Sequence, residues 1–171
     1  MKVLIPVDDK QYAKAISDFV VNHTWPDNVE FKLLFVYESM LLQEVVTPQA
    51  FEQLEEASEY RQSFGRSLIM DVGTQIRLKF PSAKIEERMQ EGEPKLVILD
   101  LIKEWKPDLV VMGSHKKGVV ERFFLGSVSL AVLTHAPCSV MTIKIPKGTE
   151  THEEAQASTS EKAEKEIAAK L

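Results

Sequence analysis

The residues best suited to chemistry stand together late in the chain. Gly113-Ser114-His115-Lys116-Lys117-Gly118 is followed, after Val119 to Leu125, by Gly126-Ser127-Val128-Ser129, so three of the seven glycines fall in seventeen residues. Glycine lets a backbone turn sharply and lie close to a ligand, with its amides free to point at oxyanions. His115, Lys116, Lys117 and Arg122 share this segment and only Glu121 opposes them, so with histidine neutral it is locally +2. A helix starting at Gly126-Ser127 would add unpaired first-turn amides and a positive dipole end, to which the Ser127 and Ser129 hydroxyls could add hydrogen bonds. That combination suits a polyanion, phosphate above all. The plainer reading is that Gly126-Ser127 only caps a helix. The company of Gly113 and the local positive charge favour the anion site.

A second point is Asp8-Asp9, which closes the apolar run Lys2–Val7. Two adjacent carboxylates could cap the next helix, a common role for aspartate. They are weak evidence for a metal without further ligands, and a Mg²⁺ ion would arrive with a bound phosphate group instead. Cys138 reads as a small core residue, His135 lies near it, and His23 and His152 carry no signal. Phe123 and Phe124 read as anchors for the loop. No nucleophile paired with a base and no metal cluster is visible, so the chain reads as non-catalytic.

These residues need a scaffold, and the pattern around them supplies one. Short apolar runs at Lys2–Val7, Phe31–Tyr37, Asp108–Met112 and Cys138–Ile145, with a weaker strand at Ala83–Met89, alternate with helical patterns. The first helix places Tyr12, Ile16, Phe19, Val20 and His23 at helical spacing and is stopped by Trp25-Pro26-Asp27-Asn28. After a loop over Glu38–Pro48, a long helix covers Gln49–Phe80. A third opens at Gly92-Glu93-Pro94, with proline in its first turn, and a short fourth covers Ser127–His135. Five strands joined by helical crossovers imply parallel pairing and an open doubly wound α/β sheet, with helices on both faces. Such sheets bind ligands beyond the carboxyl ends of their strands, where the winding reverses. That rule selects Asp8 and Gly113.

Composition sets the outer limits. The chain has 171 residues, formal net charge −5, one cysteine and 44% hydrophobic residues, enough for one core. The acidic balance argues against a nucleic-acid binder, and a single cysteine cannot form an internal disulfide. No apolar run approaches the roughly 18 to 20 residues of a membrane span. No signal-peptide pattern is seen at the start, so a soluble cytoplasmic protein is expected. From 147 to 171 there are four Lys, six Glu and no aromatic residue, which predicts a mobile tail with a short helix toward its end. The folded domain is therefore expected to span 1–146.

In this order the segments resemble the universal stress protein family, small α/β domains related to adenine-nucleotide-binding (adenine nucleotide alpha hydrolase-like) folds. The stretches that carry the resemblance are VLIPVDD, LLFVYE, EGEPKLVILDLIKEWKPDLVVMGSH and LGSVSLAVLTHAPCSVMTIK, over roughly residues 1–145. Nucleotide-binding members have a glycine, two residues, a second glycine, nine residues, then Gly-Ser or Gly-Thr. Gly113 and Gly126-Ser127 match at that separation, while Lys116 replaces the second glycine. The resemblance implies strand order 3-2-1-4-5 and binding of ATP or a related adenine nucleotide, with Asp8 beside ribose and adenine and Val36 offering backbone hydrogen bonds to the base. It implies that Gly113, Gly126, Ser127 and Val128 wrap the phosphates, with Pro6, Val7, Met112, Ser114, His115, Lys116 and Ser129 completing the site. Lys116 either lends charge to phosphate or blocks its close approach. The family also implies a C2 homodimer paired through the strand near Ser139–Ile145, whose tail could recruit a further protein. A stress-response sensor or regulator is the expected function. The rival reading is a nucleotide-free dimeric interaction module.

Overall fold

The computed structural model describes residues 1–38, 48–114 and 125–145, with the side chains of 48–51 and 53 outside that description. The elements run β1 (Lys2–Val7), α1 (Lys10–Asn22), β2 (Glu30–Tyr37), α2 (Pro48–Lys79), β3 (Lys84–Glu91), α3 (Pro94–Trp105), β4 (Leu109–Gly113), α4 (Ser127–His135) and β5 (Ser139–Ile143). The five strands form one sheet in the order β3-β2-β1-β4-β5, and every pairing is parallel. The winding therefore reverses between β1 and β4, as the sequence pattern predicts.

Successive strand residues face opposite sides, and both sides are covered. Val3, Ile5, Val7, Phe31, Leu33 and Phe35 pack with Ile16 and Val20 of α1 and with Leu68, Ile69, Val72 and Ile76 of α2. Leu4, Leu34, Val36, Val110 and Met112 pack with Ile98, Leu101 and Ile102 of α3 and Val132 of α4. This two-sided burial is why β1 and β2 read as largely apolar runs, with Lys32 the charged exception inside β2.

Element ends differ from the sequence reading where polar residues carry backbone pairing. β3 continues to Glu91 because its register with β2 runs on through Gln90 and Glu91, opposite Val36 and Tyr37. It lies at the sheet edge with half of its residues exposed, so its apolar signal is weak. Gly92 then turns the chain at φ +137°, a conformation that strains any residue with a Cβ, and its N–H donates to the Tyr37 carbonyl at 3.0 Å. β5 is shorter than expected, without Cys138, Lys144 and Ile145. The expected mobile tail, the boundary at 146/147 and most of the Glu38–Pro48 loop lie outside the described residues.

Candidate functional site

The elements converge on a cavity of about 490 Å³ at the carboxyl ends of β1 and β4. Its apolar wall includes Leu34 and Val36 of β2 with Pro94 and Ile98 of α3. Pairing of β1 with β2 ends at Val7–Phe35, so at Val36 the β1 side of the strand has no ladder partner and borders the cavity. The opposite side is formed by Leu125, Gly126, Ser127, Val128 and Ser129.

Gly126 is the N-cap of α4 and, having no side chain, leaves the first turn without a side-chain cap. The first helical amide bonded back into the helix is that of Leu130, which donates to the Gly126 carbonyl at 2.9 Å. The first-turn N–H groups therefore remain available to an anion in the cavity. Ser129 was expected to aid such an anion with its hydroxyl. In the structure that hydroxyl is buried and donates to the Gly113 carbonyl at 2.7 Å, tying α4 to the end of β4. Gly113 has a packing reason of its own: a Cβ there would run into the Tyr12 side chain.

Asp8 and Asp9 separate in role. Asp9 caps α1, its Oδ1 accepting from the Tyr12 N–H at 2.9 Å. Asp8 also lines the cavity but pairs with the Arg61 guanidinium of α2 at 2.6 Å. The capping and crevice readings of the pair thus both apply, one to each residue. Arg61 in turn lies over the rings of Phe35, 4.7 Å from the centroid, and Phe64, 5.8 Å away.

Of the residues expected at the site, Pro6, Val7, Asp8, Val36, Met112, Gly113, Gly126, Ser127, Val128 and Ser129 line this one cavity. Ser114 follows β4 outside the lining, its N–H donating to the Ile143 carbonyl at 3.0 Å. His115 and Lys116 lie outside the described residues. Sequence reasoning missed Asp9, Tyr12, Ile16, Leu34, Pro94, Ile98 and Leu125 in the wall. Tyr12 and Ile16 carried a signal, their helical spacing, but it reported only burial. Among the described residues no group of three His, Cys, Asp or Glu side chains could hold a metal ion, and no helix is long and apolar enough to cross a membrane.

An open parallel sheet with a ligand-sized cavity at its switch point, walled by apolar side chains and by a helix start, defines a doubly wound α/β domain with its crevice where such sheets bind ligands. The match to known proteins is narrower. The universal stress protein family model covers residues 1–144, and the chain belongs to that family. It is 33% identical over 88 residues to a putative universal stress protein of Staphylococcus haemolyticus, a stretch covering 51% of this chain and 53% of the relative. The chain thus spans about half the length of that relative. The universal stress protein UspA of Lactobacillus plantarum superposes with a TM-score of 0.66 at 22% identity, over 84% of this chain and 97% of the other. A universal stress protein family protein of Arabidopsis thaliana, solved with AMP bound, superposes with a TM-score of 0.59 at 22% identity, over 91% and 99%. At such identities these two likenesses speak to the fold alone.

Proposed function

We propose that this protein binds ATP or a related adenine nucleotide at the β1/β4 switch point and acts as a non-catalytic stress-response sensor or regulator. The observation that carries the reading is the cavity itself, which joins an apolar wall at Leu34, Val36 and Ile98 to the uncapped start of α4. The wall suits a flat base, and the helix start suits phosphates. Binding of AMP by the Arabidopsis family member supports the choice of ligand. Basic residues in the segment 115–124 would stand beside the phosphates, and Mg²⁺ would enter with them. In this reading the protein works in the cytoplasm as a homodimer paired through Ser139–Ile145, and the residues after 146 form a separate tail open to a further protein partner.

The test is direct. The protein is purified and denatured, released nucleotide is identified by mass spectrometry, and ATP with Mg²⁺ is titrated by calorimetry. Released adenine nucleotide, or saturable heat below millimolar ATP, supports the reading. Neither outcome at millimolar ATP overturns it and leaves the nucleotide-free interaction module. A Lys116→Gly substitution then reports whether the lysine at the motif's second glycine position aids or hinders phosphate.

A further inference from the structure

The described lining of the cavity is acidic. Among the described lining residues there are two carboxylates, Asp8 and Asp9, and no lysine, arginine or histidine. A polyanion entering such a lining is repelled unless both charges are offset. Asp9 is offset by its place at the N-terminus of α1, where its Oδ1 accepts from the Tyr12 N–H and the helix dipole favours a negative group. Asp8, one residue ahead of that cap, is offset by Arg61, whose Nη2 donates to Asp8 Oδ1 at 2.6 Å.

Arg61 does not reach Asp8 by chance of a mobile surface side chain. Its guanidinium lies 4.7 Å from the centroid of Phe35, a fully buried ring at the end of β2. Phe35 in turn occupies a notch in α2 at Gly65, one turn beyond Arg61, where any Cβ would run into the ring. A planar cation held on an aromatic face keeps its orientation at small entropic cost. Gly65 thus leaves room for the core ring on which the Arg61 guanidinium rests. The ion pair itself is half exposed, with side-chain exposures of 38% for Arg61 and 55% for Asp8, so it adds little to folding stability.

We infer that Arg61 is a specificity-determining residue: by neutralising Asp8 in the cavity lining, it removes a repulsion that a phosphorylated nucleotide meets and an uncharged nucleoside does not. The inference rests on the adenine-nucleotide reading of the cavity and goes beyond it. Arg61 acts on the ligand through the field in the cavity, so its effect scales with ligand charge and is screened by salt.

Calorimetric titration of the full chain with ATP and with adenosine, at low and at high salt, separates the possibilities. Arg61→Ala is expected to weaken ATP about fivefold at low salt and to leave adenosine within about twofold, with a smaller difference at high salt. Arg61→Lys, which keeps the charge, recovers most of the loss. Asp8→Asn added to Arg61→Ala brings the ATP-to-adenosine ratio back toward that of the wild type. Should Arg61→Ala perturb folding, Arg61→Gln, which keeps most of the side chain and its planar head without the charge, reads the same ratio. Equal weakening of both ligands by Arg61→Ala would mean a structural role and overturns the inference, as does an unchanged or tightened ATP affinity. Wild-type protein that binds neither ligand removes the nucleotide reading and this inference together, whereas wild-type binding with an unmoved ratio removes this inference alone.

Discussion

Gly113 shows how one missing methyl group shapes the site. A Cβ at this position would meet the Tyr12 side chain well inside van der Waals contact, and Tyr12 borders the cavity. Gly113→Ala is therefore expected to push Tyr12 aside, destabilise the fold by about 1–3 kcal/mol and weaken ATP binding about tenfold. Urea melts and calorimetry check both parts. Adding Tyr12→Ala should return part of the stability, since the two changes share one contact and are not additive. Cys138 gives a second prediction at this scale. Burial pushes its thiol above the ordinary value of 9.0, a hydrogen bond from the backbone opposes the rise, and the Asp108 carboxylate adds to it. The thiolate is the reactive form, so Cys138 should alkylate several-fold more slowly than free cysteine at pH 8. The folded state holds the thiol proton more tightly, so this contribution is complete below about pH 9 and is lost as pH rises beyond it. A Cys138→Ala variant should lose less stability than the wild type between pH 8 and pH 10, measured by chemical denaturation at each pH.

Elements place these residues, and their contacts explain what the sequence disclosed. β1, β2 and β4 were legible because burial on both faces demands unbroken apolar runs, and the start of α3 was legible from Pro94 in its first turn. Asp8 and Gly113 were legible as strand ends at a switch point, a matter of topology. Arg61 was not, because it meets Asp8 across 53 residues and sits in a helix whose charges all resemble a solvated face. The contact depends on Gly65, which looks unhelpful in a helix until Phe35 is seen against it. Gly65→Ala is expected to cost about 1–3 kcal/mol, against the gain that alanine normally brings to a helix interior, and circular-dichroism melts decide the sign. Lys32 was equally hidden. It is buried on β2, with its ammonium 2.7 Å from Glu86 and 4.7 Å from the centroid of Trp105 at the end of α3. It was read only as part of an apolar strand, because a single long side chain can snorkel from such a run to a partner at the edge.

At the scale of the whole molecule, the two edges of the sheet differ. The β3 edge presents Lys84, Glu86, Glu87, Arg88 and Glu91, charges that discourage another strand from adding to it. The β5 edge reads Ser-Val-Met-Thr-Ile and has no such guard. The hydrogen bonds show which of its backbone groups are open. Ser139 N–H donates to the Asp108 carbonyl and the Ile143 carbonyl accepts from Ser114, so residues 139, 141 and 143 direct their backbone groups toward β4. By alternation, Val140 and Thr142 direct theirs outward, available to a second copy pairing about a two-fold axis. Thr142→Pro removes an outward N–H donor and spares the ladder to β4, whereas Met141→Pro removes an inward donor and breaks it. The proposed dimer is therefore expected to become a folded monomer in Thr142→Pro and to be lost with the fold in Met141→Pro. Light scattering coupled to size exclusion, with circular dichroism as the check on folding, reads both outcomes. A Thr142→Pro protein that stays dimeric at micromolar concentration would move the interface away from β5. A monomer that still binds ATP as tightly as the wild type would show that each cavity is complete within one chain, in keeping with a described lining drawn from β1, β2, β4, α1, α3 and α4 of a single copy.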